Sequence, residues 1–140
     1  RHCETYEENI RLAGGIDLQL LGLGVNAHIA FCEPGISFHS ETTLVDLDKE
    51  TIRQNSDGRF YKREEEVPKQ ALTMGLRTIM ATRKIIMLAN GPRKAVAVKK
   101  ALVAPPSIDV PASVLQRHAA VTWLLEREAA SELPPSLVRK

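Results

Sequence analysis

A chain of 140 residues and 15.5 kDa has the length of one domain. Apolar residues at 44% and charged residues at 26% exclude collagen, coiled-coil and disordered classes, and aromatics at 4% leave the core to aliphatic side chains. Nineteen Lys and Arg against 17 Asp and Glu give a net charge of +2. That is too balanced for a protein that binds nucleic acid by neutralising phosphates, so no nucleic-acid partner is expected.

Thr5 to Ala13 places Tyr6, Ile10 and Ala13 at helical spacing, and Gly14-Gly15 supplies a stop signal. Ile16 to Leu21 alternates and reads as a strand running into Gly22-Leu23-Gly24. Thr42 to Asp46 is a weaker strand, and Asp48 to Asn55 a short polar helix. Asp57-Gly58 marks a turn, and Lys62 to Glu66 is a solvated charged stretch. Pro68 suits the first position of a helix carrying Leu72, Leu76, Ile79 and Met80. Lys84 to Ala89 is the clearest strand. Asn90-Gly91-Pro92 then turns into a helix with Ala95, Val98 and Leu102 on one face, ended by Ala104-Pro105-Pro106. Val121 to Leu125 is a further strand, followed by a short helix of acidic and basic residues, and Pro134-Pro135 ends regular structure.

Strands alternating with helices predict an α/β fold with a mostly parallel, Rossmann-like sheet. About four strands and few helices are too little to cover both faces of such a sheet, so the three-layer arrangement is expected to be incomplete. The chain begins at Arg1 rather than Met, which fits either processing or a piece of a longer chain. No run approaches the roughly 18 apolar residues of a membrane span, and no leader is visible, so no membrane partner and a cytoplasmic location are expected. Cys3 and Cys32 form no metal-spaced pair and are expected as reduced thiols.

Open α/β sheets bind ligands beyond the carboxyl ends of their strands, and two such ends carry polar residues. After the first strand come Asn26, His28 and Glu33. Histidine moves protons near neutral pH, a carboxylate can orient its ring, and Asn26 can hold a substrate hydroxyl or set the tautomer. The same spacing also suits a structural histidine on a loop. No third ligand stands nearby for zinc, so no metal is expected. Gly22-Leu23-Gly24 starts like a dinucleotide fingerprint, but its third glycine and ribose-binding acid are absent. After the apolar strand, Lys94 stands at a helix start, where a cation opposes the helix dipole unless an anion binds.

Gly22-Leu23-Gly24-Val25-Asn26-Ala27-His28-Ile29-Ala30-Phe31-Cys32-Glu33-Pro34 resembles the Gly-x-Gly-x-(Asp or Asn)-Gly-His-Ile-(Ala or Gly)-Phe-Asn-Glu-Pro stretch of glucosamine-6-phosphate deaminases, also called isomerases. Val67-Pro68-Lys69-Gln70-Ala71-Leu72-Thr73-Met74-Gly75, Gly91-Pro92-Arg93-Lys94-Ala95, Asp109-Val110-Pro111-Ala112-Ser113 and Glu126-Arg127-Glu128-Ala129-Ala130 resemble further family segments, in order, from about Tyr6 to Ala130. The resemblance makes residues 1–140 the C-terminal part of a single domain. It implies conversion of glucosamine 6-phosphate and water to fructose 6-phosphate and ammonia, in aminosugar catabolism and without a cofactor. His28 would open the sugar ring, with Asn26 and Glu33 orienting it. Lys94 and Arg59 would hold the phosphate, Arg59 on a mobile lid. A bidentate guanidinium suits that task.

The sequence also departs from the family. Ala27 replaces a glycine, Cys32 replaces an asparagine, and Ser56-Asp57-Gly58-Arg59 carries two extra residues. The family's Gly-rich phosphate turn and enolising aspartate belong to an N-terminal half with no counterpart here. The expected partners are therefore a small sugar phosphate and either that missing half or further copies of the chain. A fragment of this kind is expected to be inactive alone. A galactosamine 6-phosphate enzyme and a degenerate sugar-phosphate binding module remain alternatives. The related 6-phosphogluconolactonases fit the Phe31-Cys32-Glu33-Pro34 continuation less well.

Overall fold

The computed structural model describes residues 1–58 and 60–138. Three parallel strands form the main sheet in the order β1 (Leu18–Gly22), β4 (Lys84–Ala89), β5 (Val121–Leu125). An antiparallel pair, β2 (Thr43–Asp46) and β3 (Gln70–Thr73), stands beside it. The helices are α1 (His2–Leu12), α2 (Lys49–Asn55), α3 (Leu76–Met80) and α4 (Ala95–Val103). Asp48 caps α2, its carboxylate accepting the Glu50 N–H, which satisfies a donor that the helix itself leaves orphaned.

The period-2 alternation of the strands sorts their side chains onto two faces. Leu21, Ile85, Met87 and Ala89 point into the core, where they meet Leu76 and Ile79 of α3 and Ala97, Val98 and Ala101 of α4. A 3₁₀ segment, Pro111–Arg117, closes the same side with Ala112, Val114 and Leu115. The opposite face is apolar and open. Leu18 is 51% exposed, Leu20 59%, Leu88 45% and Leu124 53%. Among the described residues the expected parallel α/β sheet therefore has a helical layer on one face only.

Three local expectations need correction. Pro68 does not start a helix. The chain from Gln70 to Thr73 pairs antiparallel with Asp46 to Thr43, and only Leu76–Met80 is helical. Leu72 fits helical spacing but is 61% exposed, so the burial that would have rewarded a helix is absent. Gly75 separates the two pieces at a tight spot, where a Cβ would stand 2.2 Å from the Ser40 carbonyl oxygen. The residues after β5 form successive turns, not a helix. Pro134-Pro135 leads into a further 3₁₀ turn, Pro135–Leu137. The seven-residue 3₁₀ segment at Pro111 had no expectation at all; its Pro-Ala-Ser start lacks the 3.6-residue periodicity that marks an α-helix.

Candidate active site

Parallel pairing puts the carboxyl ends of neighbouring strands side by side. Gly22 of β1 is in register with Leu88 of β4, so the loop holding His28 and the turn holding Lys94 leave the sheet together. They line one cleft of about 680 Å³, with Thr51, Arg53, Gln54 and Asn55 of α2 along another side. Arg93, Asp57 and Phe60 also line it. The structure thus brings His28 and Lys94, 66 residues apart in sequence, to a common space. Arg59, the expected second phosphate ligand, lies outside the described residues.

The loop after β1 is folded back on itself. Gly24 N–H donates to the His28 carbonyl at 2.9 Å, and Ala27 N–H to the Gly24 carbonyl at 3.0 Å. This reversal needs Ala27 in the left-handed region, at φ +66°, and Ala30 joins it at φ +50°. Ala27 thus takes, where the family carries glycine, a backbone conformation that glycine adopts without strain. Gly24 is there for space, since a Cβ on it would lie 2.3 Å from the His28 ring. Cys32, buried where the family carries asparagine, donates its S–H to the Met74 carbonyl at 3.2 Å. Burial pushes its thiol up to about 11, so it stays a protonated donor. Both cysteines are free thiols.

Asn26, His28 and Glu33 converge as the sequence suggested. Asn26 Nδ2 donates to Glu33 Oε2 at 2.9 Å, because a carboxylate can only accept. That fixes the amide, turning Asn26 Oδ1 toward His28, where it accepts the backbone N–H at 3.2 Å and lies 2.6 Å from Nδ1. An amide oxygen facing Nδ1 requires the proton there, which leaves Nε2 as the basic atom of the neutral ring. Glu33 Oε2 stands 3.4 Å from the same Nδ1. Burial alone would raise the Glu33 carboxyl, but hydrogen bonds from His28, Thr51 and Asn26, with the His28 charge, hold it down at about 2.

Lys94 ends the 3₁₀ turn Pro92–Lys94 that opens α4. Gly91 reaches φ +82° to begin it, and its N–H donates to Glu126 at 2.6 Å. Ala89 pairs with Leu125, so the first residue beyond β5 reaches the turn beyond β4. Sequence reading missed this brace because it joins residues 35 apart. It also missed Thr51 and the Asp48 N–H, which donates to Glu33 Oε1 at 3.3 Å. Burial, and then the adjacent Arg93 charge, lower the Lys94 pKa. An ammonium placed so is stabilised by an arriving anion. Among the described residues, no three His, Cys, Asp or Glu side chains gather to hold a metal ion, and no helix is long and apolar enough to cross a membrane.

The fold and cleft define an α/β domain with its polar loops gathered beyond the carboxyl ends of parallel strands. Residues 1–123 match the family described as glucosamine-6-phosphate isomerases/6-phosphogluconolactonase, and the chain belongs to that family. The glucosamine-6-phosphate deaminase of Clostridium botulinum (strain Langeland) is 51% identical over 131 residues, which are 94% of this chain and 53% of that protein. The one from Clostridium novyi (strain NT) is 49% identical over 133 residues, covering 95% and 54%. A solved monomeric glucosamine-6-phosphate deaminase superposes with a TM-score of 0.89 at 46% identity, over 93% of this chain and 53% of that one. The 6-phosphogluconolactonase of Trypanosoma cruzi shares the fold, with a TM-score of 0.69 at 22% identity over 94% and 50%. The chain spans about half the length of the curated relatives it matches.

Proposed function

We propose that this chain carries the ring-opening and phosphate-binding part of a glucosamine-6-phosphate deaminase, working in the cytoplasm in aminosugar catabolism. The observation that carries this reading is the single cleft lined by His28 and Lys94. His28 Nε2 accepts the anomeric hydroxyl proton and returns it to the ring oxygen, which breaks the ring C–O bond and frees the C1 aldehyde. Asn26 and Glu33 keep Nδ1 protonated and stabilise the imidazolium formed in between. Lys94 holds the 6-phosphate, joined by Arg59. Moving the C2 proton to C1 needs another base, and no residue of this chain is assigned to it. That base belongs to an N-terminal half, which also covers the open face of Leu18, Leu20, Leu88 and Leu124.

The test is ammonia release from glucosamine 6-phosphate by residues 1–140 alone and joined to the N-terminal half of a deaminase it resembles, with light scattering alongside. Turnover only in the joined protein, and association of the 140-residue chain alone, are the expected results. An open apolar face seeks cover. Robust turnover by a monodisperse 140-residue chain would overturn the division of labour. No turnover in either form would leave a sugar-phosphate binding module.

A further inference from the structure

The wall of the cleft formed by α2 is attached in an unusual way. Among its residues, Lys49 to Asn55, the one that is buried is Thr51, which is polar and only 3% exposed. Short helices ordinarily dock through an apolar stripe. Here the attachment runs to the proton-handling pair. Thr51 Oγ1 lies 3.4 Å from His28 Nδ1, and its hydroxyl is among the groups that hold the Glu33 carboxyl low. Asp48, which caps the helix, donates its N–H to Oε1 of the same carboxylate. Asn55 Nδ2 closes back on the Thr51 carbonyl at 2.8 Å, so Thr51 also ties in the turn that brings Arg53, Gln54 and Asn55 to the cleft.

We propose that Thr51 is a positioning residue, whose hydroxyl couples the α2 wall of the cleft to the His28–Glu33 pair so that wall and imidazole are set together. The proposal rests on the deaminase reading for its catalytic consequence, but the coupling itself is a property of the chain. When His28 takes up a proton, its Nδ1–H faces three acceptors: Asn26 Oδ1, Glu33 Oε2 and Thr51 Oγ1. The first two lie on the same loop as His28. Thr51 alone among them comes from α2, so it is the one that links the position of that wall to ring orientation.

The experiment compares Thr51→Val, which keeps the bulk and loses the hydroxyl, with Thr51→Ser, which keeps the hydroxyl and loses a methyl. Both are placed in the joined protein described above. Amide hydrogen exchange across Ile52 to Asn55, the ¹⁵N shifts of the His28 ring, and kcat and KM are measured. The valine variant is expected to lose about tenfold in protection across α2, the scale of one hydrogen bond, to move the His28 ring shifts, and to lose about tenfold in kcat from a misplaced ring. Serine should restore all three to within about threefold. If valine failed to fold, Thr51→Cys, a weaker donor, should fall between serine and that loss. Wild-type protection in the valine variant, lost protection with unmoved ring shifts, or serine behaving as badly as valine would each overturn the coupling. If the wild-type protein released no ammonia, the deaminase reading would fall, while exchange and ring shifts would still decide the role of Thr51.

Discussion

The two loops that meet in the cleft hold their functional side chains by opposite means. After β1, His28 is held by partners: an amide oxygen, a carboxylate, a threonine hydroxyl and a glycine kept bare beneath its ring. After β4, the turn is held by its backbone, through Gly91 at positive φ and Glu126, while burial and the charge of Arg93 act on Lys94 itself. A proton carrier needs a defined tautomer and direction, which cost several hydrogen bonds to impose. A phosphate anchor needs a charge in about the right place, and the ligand completes its coordination.

The sharpest way to break this contrast is to replace His28, the proposed proton carrier. His28→Gln, made in the joined protein, keeps a side chain that can bond Asn26 but cannot carry a proton. Its kcat on glucosamine 6-phosphate should fall by about 10²–10⁴-fold, the usual worth of general acid–base help. Near-normal turnover would exclude the role.

Glu33 tests whether the network around His28 is built into stability as well. Its folded carboxyl sits at about 2 against an ordinary 4.5. Between those values the unfolded chain binds more protons than the folded one. The stabilisation is therefore fully present above about pH 4.5 and is lost as pH falls toward 2, amounting to about 3 kcal/mol in all. Urea unfolding of wild type and Glu33→Gln at pH 6 and pH 3 reads it. Wild type should weaken more than the variant over that interval, and equal losses would show that Glu33 is not the group involved.

At Lys94 the contrast predicts a different kinetic signature. Lys94→Met should raise KM by an amount equivalent to about 1.5–3 kcal/mol, the worth of a hydrogen bond to a charged group, with kcat less affected. The comparison substrate is glucosamine without its phosphate, on which the variant and wild type should be alike. An equal loss on both substrates would remove Lys94 from the phosphate.

Several elements were legible in the sequence: β4 and β5 span the expected Lys84 to Ala89 and Val121 to Leu125, and α2 falls within the expected polar helix, Asp48 to Asn55. Asn26, His28 and Glu33 could be grouped because they lie within eight residues on one loop. That His28 and Lys94 share a cleft follows from strand order, which no local pattern contains. Leu72 misled because helical spacing counts apolar residues without knowing which are buried, and strand pairing with β2 overrode it. Thr51 carried no signal: a threonine inside a polar helix is unremarkable until its partners 18 and 23 residues away are known.

The smallest expected effect separates strain from packing within the loop that holds His28. Ala27 and Ala30 both adopt positive φ, which costs an L-residue about 1–2 kcal/mol that glycine does not suffer. Glycine also gives the unfolded chain more freedom, which costs about 0.4–1 kcal/mol at either site. The two sites differ in burial. Ala27 is 1% exposed, so its methyl contributes about 0.8 kcal/mol of burial that glycine forfeits, whereas Ala30 is exposed and forfeits little. Ala30→Gly should therefore stabilise by about 0.5–1 kcal/mol, while Ala27→Gly should stay within about 1 kcal/mol of zero. Denaturant midpoints of the two variants measure the difference directly. A clear gain at Ala27 and none at Ala30 would mean that the strain of the loop is concentrated beside His28, and that the alanine standing in the family's glycine position is tolerated rather than accommodated.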